Sequence, residues 1–277
     1  MKLTKITKIL TLFFCLILFE KRANVNIKKC IESINSFNSG ICRKRYFLYI
    51  EDKNKTNFAN RQSIEISLST DNSNIYPTLI VMTSILENNK PNHIIIFFLL
   101  LSIDFKRKNL FIFESLKKNY EVIINYCYIH NIFNNLKKWR NSYAIYFKLF
   151  LPLLLKDEKR IIHLDGDTMV FSDLWEMYNL PFYNNYLLAQ RTKNYKFKDK
   201  KNKKWVINAG VILFNIEKFR KDNKDFEIFY YLFKYKFTEQ IALNYVLLPN
   251  IGYLPFKYGI VFNNPLICKK KLEYSIL

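Results

Sequence analysis

Two carboxylates two residues apart, Asp165 and Asp167, mark the place in this chain where the sequence speaks most directly of chemistry. They stand in Arg160-Ile-Ile-His-Leu-Asp-Gly-Asp-Thr-Met-Val170, and no other D-x-D occurs in the sequence. The residues ahead of them read as a short buried strand, so both acids fall where that strand runs out. In an open α/β sheet, ligands bind beyond the carboxyl ends of the strands. Carboxylate oxygens there suit a hard divalent cation, manganese or magnesium. Such an ion can bridge a diphosphate and neutralise charge developing on it as a leaving group. Gly166 between the acids lets the backbone turn with no side chain in the way. The plainer reading is a polar Asp-Gly turn between two elements. His163 shares a strand face with Asp165 one step back, where a core or supporting residue is expected.

The elements that must carry these acids can be read from periodicity. Residues 64–68 alternate like a strand, and 77–87 carry apolar residues at helical spacing. Residues 93–101 are continuously apolar, as in a strand buried on both faces. Asp104 is placed to cap a helix running to about Asn119, and 120–126 read as another strand. A helix is expected over 142–155, broken late by Pro152, and then the strand 160–164. Strands alternating with helices describe βαβ units and a mostly parallel central sheet flanked by helices, an α/β fold.

Composition narrows the function. The chain has 277 residues, enough for one large α/β domain with a modest appendage, and half are hydrophobic, which excludes wholesale disorder. With only 5 glycines, no G-x-G-x-x-G and no G-x-x-x-x-G-K-[ST] can be written, so the glycine-rich phosphate cradles of dinucleotide enzymes, P-loop ATPases and kinases are out. The formal charge of +21 attracts phosphates, nucleic acids and acidic lipid surfaces. The Lys, Asn, Ile, Phe and Tyr usage that AT-rich coding produces would generate the same excess.

An uncharged apolar run over 9–19 follows Lys2, Lys5 and Lys8, the pattern of a secretory signal or signal-anchor. It is short of the roughly 20 residues that span a bilayer, and no A-x-A follows it. An uncleaved membrane anchor over 1–22 is the expectation, with a cleaved signal or a helix packed on the domain as alternatives. Residues 23–62 then read as a stem and 63–277 as the domain. An anchored, lumen-facing protein of the secretory pathway or Golgi follows if the source is eukaryotic; secretion, or the cytoplasmic membrane face in a bacterium, is the alternative. Asn54-Lys55-Thr56 is a glycosylation acceptor sequence. Five cysteines, Cys15 within the apolar run, have neither zinc spacing nor a disulfide framework. The lysine-rich stretch 191–204 reads as a solvated loop rather than a nucleic-acid tract.

Around the two acids the chain resembles the family 8 glycosyltransferases, the glycogenin and galactosyltransferase relatives with a GT-A fold. His163-Leu-Asp-Gly-Asp-Thr-Met-Val-Phe-Ser-Asp-Leu174 is similar to that family's Y-L-D-x-D-x-x-V followed by D-L. Ser67-Leu-Ser-Thr-Asp-Asn-Ser-Asn-Ile-Tyr-Pro77 looks like its opening strand and helix, and Tyr143 to Leu149 resembles its Y-x-R-L helix. Ile207-Asn-Ala-Gly-Val-Ile-Leu-Phe-Asn-Ile-Glu-Lys-Phe-Arg220 resembles N-A-G-V-x-L-x-N-x-x-x-W/F-R. Glu239-Gln-Ile-Ala-Leu-Asn244 is similar to D-Q-x-x-L-N, and Leu254 to Tyr258 to L-P-x-x-Y-N. These blocks keep family order over residues 64–264.

The resemblance implies a GT-A, Rossmann-like nucleotide-diphospho-sugar transferase fold. It also implies transfer of a hexosyl group from a UDP-sugar to an acceptor hydroxyl of a carbohydrate or glycoconjugate, with retention. By it, Asp71, Asn72 or Asn74, and Tyr76 would hold uridine, with the Tyr76 ring on the base. Asp165 and Asp167 would carry manganese on the diphosphate. Asn208 would touch the donor sugar, Ala209 and Gly210 would allow close backbone approach, and Glu239 and Gln240 would lie near the reacting face.

Three departures stand out. Lys148 replaces the usual Arg, and an ammonium lacks the guanidinium's bidentate fork. Glu239 replaces an Asp, one methylene longer. The family's C-terminal H-x-G-x-x-K-P-W block, which supplies a histidine to the metal and a lysine to the diphosphate, has no counterpart. The resemblance then implies either a truncated chain or an incomplete metal site, with weak donor binding and slow turnover or none. Two other functions compete. A basic binding module would show steep salt dependence and indifference to manganese. A haloacid-dehalogenase-type phosphatase needs D-x-D-x-T, and Met169 stands where that Thr belongs.

Overall fold

The computed structural model describes residues 47–52, 61–130, 132–192 and 206–259. The apolar run 9–19, most of the stretch read as stem, Asn54, the lysine-rich stretch from 193 and the C-terminal 260–277 lie outside them. Four of the five cysteines do too; Cys127 is described and buried as a free thiol. Among the described residues no helix is long and apolar enough to cross a membrane.

The strands are β1 (Phe47–Ile50), β2 (Gln62–Thr70), β3 (His93–Ser102), β4 (Val122–Ile129), β5 (Arg160–Leu164), β6 (Leu187–Thr192), β7 (Val206–Asn215) and β8 (Ile251–Tyr253). Among the described residues they form one sheet in the order β1-β4-β3-β2-β5-β7-β6-β8. The block β4-β3-β2-β5 is parallel throughout, and β6 and β8 are parallel to each other. β7 runs antiparallel to both its neighbours, and β1 closes the far edge antiparallel to β4. That edge strand lies within the stretch 23–62 read as stem.

The parallel block has the composition that burial on two faces demands. The first nine residues of β3 are all buried. On one face Ile64, Ile66 and Leu68 join Ile95, Phe97 and Leu99 against helix α1 (Ile75–Asn88). α1 turns Thr78, Val81, Met82 and Ile85 inward at three- and four-residue spacing. On the other face the segment 144–150 packs against β2 and β3. Phe133 stacks on Tyr146 at 4.9 Å between centroids and on Phe233 at 6.1 Å, filling the gap between that segment and the C-terminal helices.

Two expected helices are looser than periodicity suggests. In place of one helix from Asp104 to Asn119 there are a 3-10 turn at Arg107–Asn109, α2 (Leu110–Glu114) and a 3-10 turn at Ser115–Lys118. Asp104 caps none of them; its backbone carbonyl accepts from Asn72 Nδ2 instead. Over the expected 142–155 helix the chain is 3-10 at Ala144–Phe150 and α-helical only in α3 (Leu151–Leu154), where Pro152 sits in the first turn and starts the helix instead of breaking it. The remaining helices are α4 (Trp175–Tyr178), α5 (Ile216–Asp222), α6 (Lys224–Tyr235) and α7 (Glu239–Leu247).

Candidate active site

β2 pairs with β3 on one side and β5 on the other, both parallel, so the chain leaves its carboxyl end in one direction and returns from the other. This is the switch point at which open α/β sheets leave a crevice. Leu68 is level with Leu164. Asp71, just past β2, and Asp165, just past β5, therefore come out at the same end of adjacent strands.

The Asp165-Gly166-Asp167 turn is closed by Thr168, whose hydroxyl donates to the Asp165 carbonyl at 2.8 Å. A Cβ added at Gly166 would lie 3.4 Å from Thr78 Oγ1, which sets the turn against the first turns of α1. Asp165 is held from below. Lys148, fully buried, donates from Nζ to Asp165 Oδ1 at 2.7 Å and to the Ala209 carbonyl at 2.8 Å. His163 Nε2 is 3.3 Å from the same Oδ1, and its Nδ1 is 3.0 Å from Ser67 Oγ. Burial opposes ionisation of Asp165, but the Lys148 ammonium and His163 outweigh it and hold the carboxyl well below the usual range. Burial first, then Lys148, push His163 down to about 4. A neutral imidazole fits both contacts if Nε2–H donates to Asp165 and Nδ1 accepts from Ser67.

Across from this turn lies Asn208-Ala209-Gly210 on β7. β6 pairs Ala189 with Ile212 but Gln190 with Asn208, so β7 bulges out of register there. Each backbone group freed by the bulge finds a partner, as buried peptide groups require. The Ala209 N–H donates to Gln240 Oε1 at 3.1 Å and its carbonyl takes Lys148. The Gly210 N–H donates to Asn208 Oδ1 at 2.7 Å, and its carbonyl accepts from the Asp165 N–H at 2.8 Å. Asn244 fastens the other end, accepting from Ile207 N at 2.9 Å. A Cβ at Gly210 would fall 3.1 Å from Asn208 Oδ1 and 3.3 Å from Asp165 Oδ2, so any larger residue would make these neighbours give by a few tenths of an ångström.

Glu239 opens α7 with only 7% of its surface exposed, and among the described residues its Oε2 has no hydrogen-bond partner. Burial, only partly offset by Lys148, pushes its carboxyl up to about 7.

The expected uridine residues divide. Asp71 Oδ1 accepts from Ser73 N at 2.9 Å and Asn74 Nδ2 at 2.8 Å, folding a tight turn ahead of α1. Tyr76, on the first turn of α1, is 69% exposed with its ring open to solvent. Asn72 turns away to the loop after β3, accepting from Lys106 N at 3.0 Å and donating to the Asp104 carbonyl at 3.0 Å. It braces the crevice wall. Arg140, which no motif marks, brings Nη1 to 3.4 Å from Asp167 Oδ2.

Among the described residues no three His, Cys, Asp or Glu side chains gather as a metal cage. Magnesium-like ions are commonly held by one or two carboxylates together with substrate phosphates. The donor set fits that pattern: Asp165 Oδ2, which makes no hydrogen bond among the described residues, and Asp167, whose side chain is 65% exposed.

Comparison with known proteins agrees with this architecture. The family model described as Glycosyl transferase family 8 matches residues 65–274. A Haemophilus influenzae protein named as a glycosyltransferase is 25% identical over 224 residues, covering 76% of this chain and 67% of its own. The galactosyltransferase LgtC, solved with donor and acceptor sugar analogues, superposes with a TM-score of 0.63 at 18% identity over 75% of this chain and 79% of its own. The bifunctional glycosyltransferase WbbM superposes at 0.61 and 18% identity, covering 72% of this chain but only 40% of its own. The expected GT-A arrangement is thus the one found. The match over most of its length makes this chain a member of glycosyl transferase family 8, and a glycosyltransferase.

Proposed function

We propose that the enzyme transfers a hexosyl group from a UDP-sugar to a hydroxyl of a carbohydrate or glycoconjugate acceptor, with retention, at the crevice where β2, β5 and β7 meet. The observation that carries this reading is the joint held by Lys148: one buried ammonium ties the Asp-Gly-Asp turn to the bulged Asn-Ala-Gly segment. A diphosphate at the turn would then have its sugar at the bulge.

Manganese or magnesium, held by Asp165 Oδ2 and Asp167 together with the diphosphate, would withdraw electrons from the departing nucleotide. The remaining roles belong to the chain itself. Tyr76 offers an exposed ring for the base, and Asp71 fixes the loop beneath it. Asn208 and Gln240 each use their side-chain oxygen on the bulge, which leaves each amide NH2 for sugar hydroxyls. Glu239, with one oxygen unpartnered, is set to accept or donate a hydrogen bond at the sugar depending on its protonation.

The decisive experiment is calorimetry of the full chain with UDP, with and without manganese, followed by NMR of the anomeric product from a panel of UDP-sugars. Metal-dependent UDP binding that Asp165→Asn and Asp167→Asn abolish is the expected result. UDP affinity indifferent to manganese would overturn the reading and favour a basic binding module. For the fate of the N-terminus we keep the proposal of a membrane anchor, to be checked by fractionating membranes with and without residues 1–22.

A further inference from the structure

Arg140 is the cation of the crevice that no motif explains. Trp139 N donates to the Ser142 carbonyl at 3.0 Å and Ser142 N to the Trp139 carbonyl at 2.8 Å, closing a two-residue hairpin with Arg140 and Asn141 at its tip. Both tip residues take positive φ, 45° and 64°, a conformation that side chains adopt at a cost. The base of the hairpin is pinned. Tyr146 Oη donates to the Lys137 carbonyl at 2.8 Å, Tyr143 Oη to the Asn134 carbonyl at 3.2 Å, and Ala144 N to Ser142 Oγ at 3.0 Å. A held backbone thus presents a side chain that is itself in water, 74% exposed, against an Asp167 that is 65% exposed.

The two acids of the turn are therefore treated differently. Asp165 is gripped by a buried ammonium, whereas Asp167 meets a guanidinium through one long contact of 3.4 Å. A pair so open to solvent is only weakly held, so it exchanges readily. Asp167 is also the carboxylate most available to a divalent ion, and an ion and a guanidinium compete for the same oxygens.

We infer that Arg140 changes partners during donor binding: it holds Asp167 in the free protein and moves to the diphosphate oxygens of the nucleotide when an ion takes the carboxylate. This rests on the proposed UDP-sugar function and assigns one residue within it. A guanidinium's planar fork matches phosphate oxygens in a way an ammonium does not. Arg140 then opposes ion binding in the absence of nucleotide and supports nucleotide binding in the presence of the ion, two effects of opposite sign from one side chain.

The test is calorimetry of the full chain with manganese alone and with UDP plus manganese, on wild type, Arg140→Ala, Arg140→Lys and Arg140→Gly, the last to suit the positive φ. Arg140→Ala and Arg140→Gly should bind manganese alone several-fold more tightly, and UDP with manganese about tenfold more weakly, as expected for a lost charge-assisted hydrogen bond. Arg140→Lys should restore much of the competition with manganese but little of the UDP affinity. Wild type that binds both ligands while the Ala and Gly variants match it overturns this inference alone. Variants that weaken both affinities together also overturn it, since a loss of fold moves them in the same direction. Wild type that binds no UDP in the presence of manganese overturns the proposed function, and the inference with it.

Discussion

Lys148 is the side chain on which the two halves of the site depend. Its replacement by Met would leave Asp165 Oδ1 with only the His163 ring and strip the Ala209 carbonyl of its donor. Breaking such a pair from one side typically costs about 3 kcal/mol, so Lys148→Met should lower the urea midpoint clearly and abolish transfer; Lys148→Arg, a larger group in a closed space, should recover stability only in part. Glu239 makes a different prediction. An ordinary glutamate ionises near 4.5, and this one is pushed up to about 7. Between those pH values the folded protein keeps a proton that the unfolded chain has lost, so stability falls as pH rises through the window and levels off above it. Urea midpoints measured against pH should show wild type losing ground to Glu239→Gln from about pH 4.5 to about pH 7. His163, down at about 4 against an ordinary 6.5, acts oppositely as pH falls through its own window, so the variant must be compared with wild type at each pH. The Asp-Gly-Asp turn was legible because two carboxylates where a buried strand runs out suit a cation as well as a turn, whereas the Asn-Ala-Gly segment was legible only through its resemblance to a family pattern. Arg140 was not, since two-residue hairpins favour Asn-Gly and Arg-Asn gives no such signal.

Among the elements, the bulge in β7 decides how near the backbone comes to Asp165. Gly210→Ala places a methyl 3.3 Å from Asp165 Oδ2, tight enough to push the carboxylate aside by a few tenths of an ångström while leaving the sheet intact. If Asp165 carries the proposed ion, disturbing what holds it should cost about 10- to 100-fold in metal affinity, so Gly210→Ala is expected to weaken manganese binding on that scale in calorimetry with little change in thermal unfolding. Periodicity found the parallel strands well, because burial on two faces writes itself as an unbroken apolar run. It failed at 104–119 and 142–155. There apolar residues at helical spacing are also compatible with 3-10 turns, and tertiary packing around Phe113 and Phe133 fixed the outcome. The bulge itself carries no periodic signature; only the resemblance of its residues to a family pattern pointed to it.

At the scale of the whole molecule, the excess of 44 basic over 23 acidic residues gives the chain a net field that attracts anions, the proposed nucleotide donor among them. Donor association should weaken as salt rises, since exposed charges are screened over about 8–10 Å at ordinary ionic strength. The manganese dependence proposed for UDP binding should persist at every salt concentration; titrations at several chloride concentrations measure both. β5 is an interior strand only because β7 comes back antiparallel beside it. The ribosome delivers β5 first and reaches the end of β7 at Asn215, about fifty residues later. Until then the short, largely apolar ribbon Ile161 to Leu164 has one row of peptide groups uncovered, the kind of edge that recruits foreign strands. Nascent chains stalled within that interval should therefore be the sticky ones, and production of this enzyme in a foreign host would be limited by how quickly synthesis passes through it.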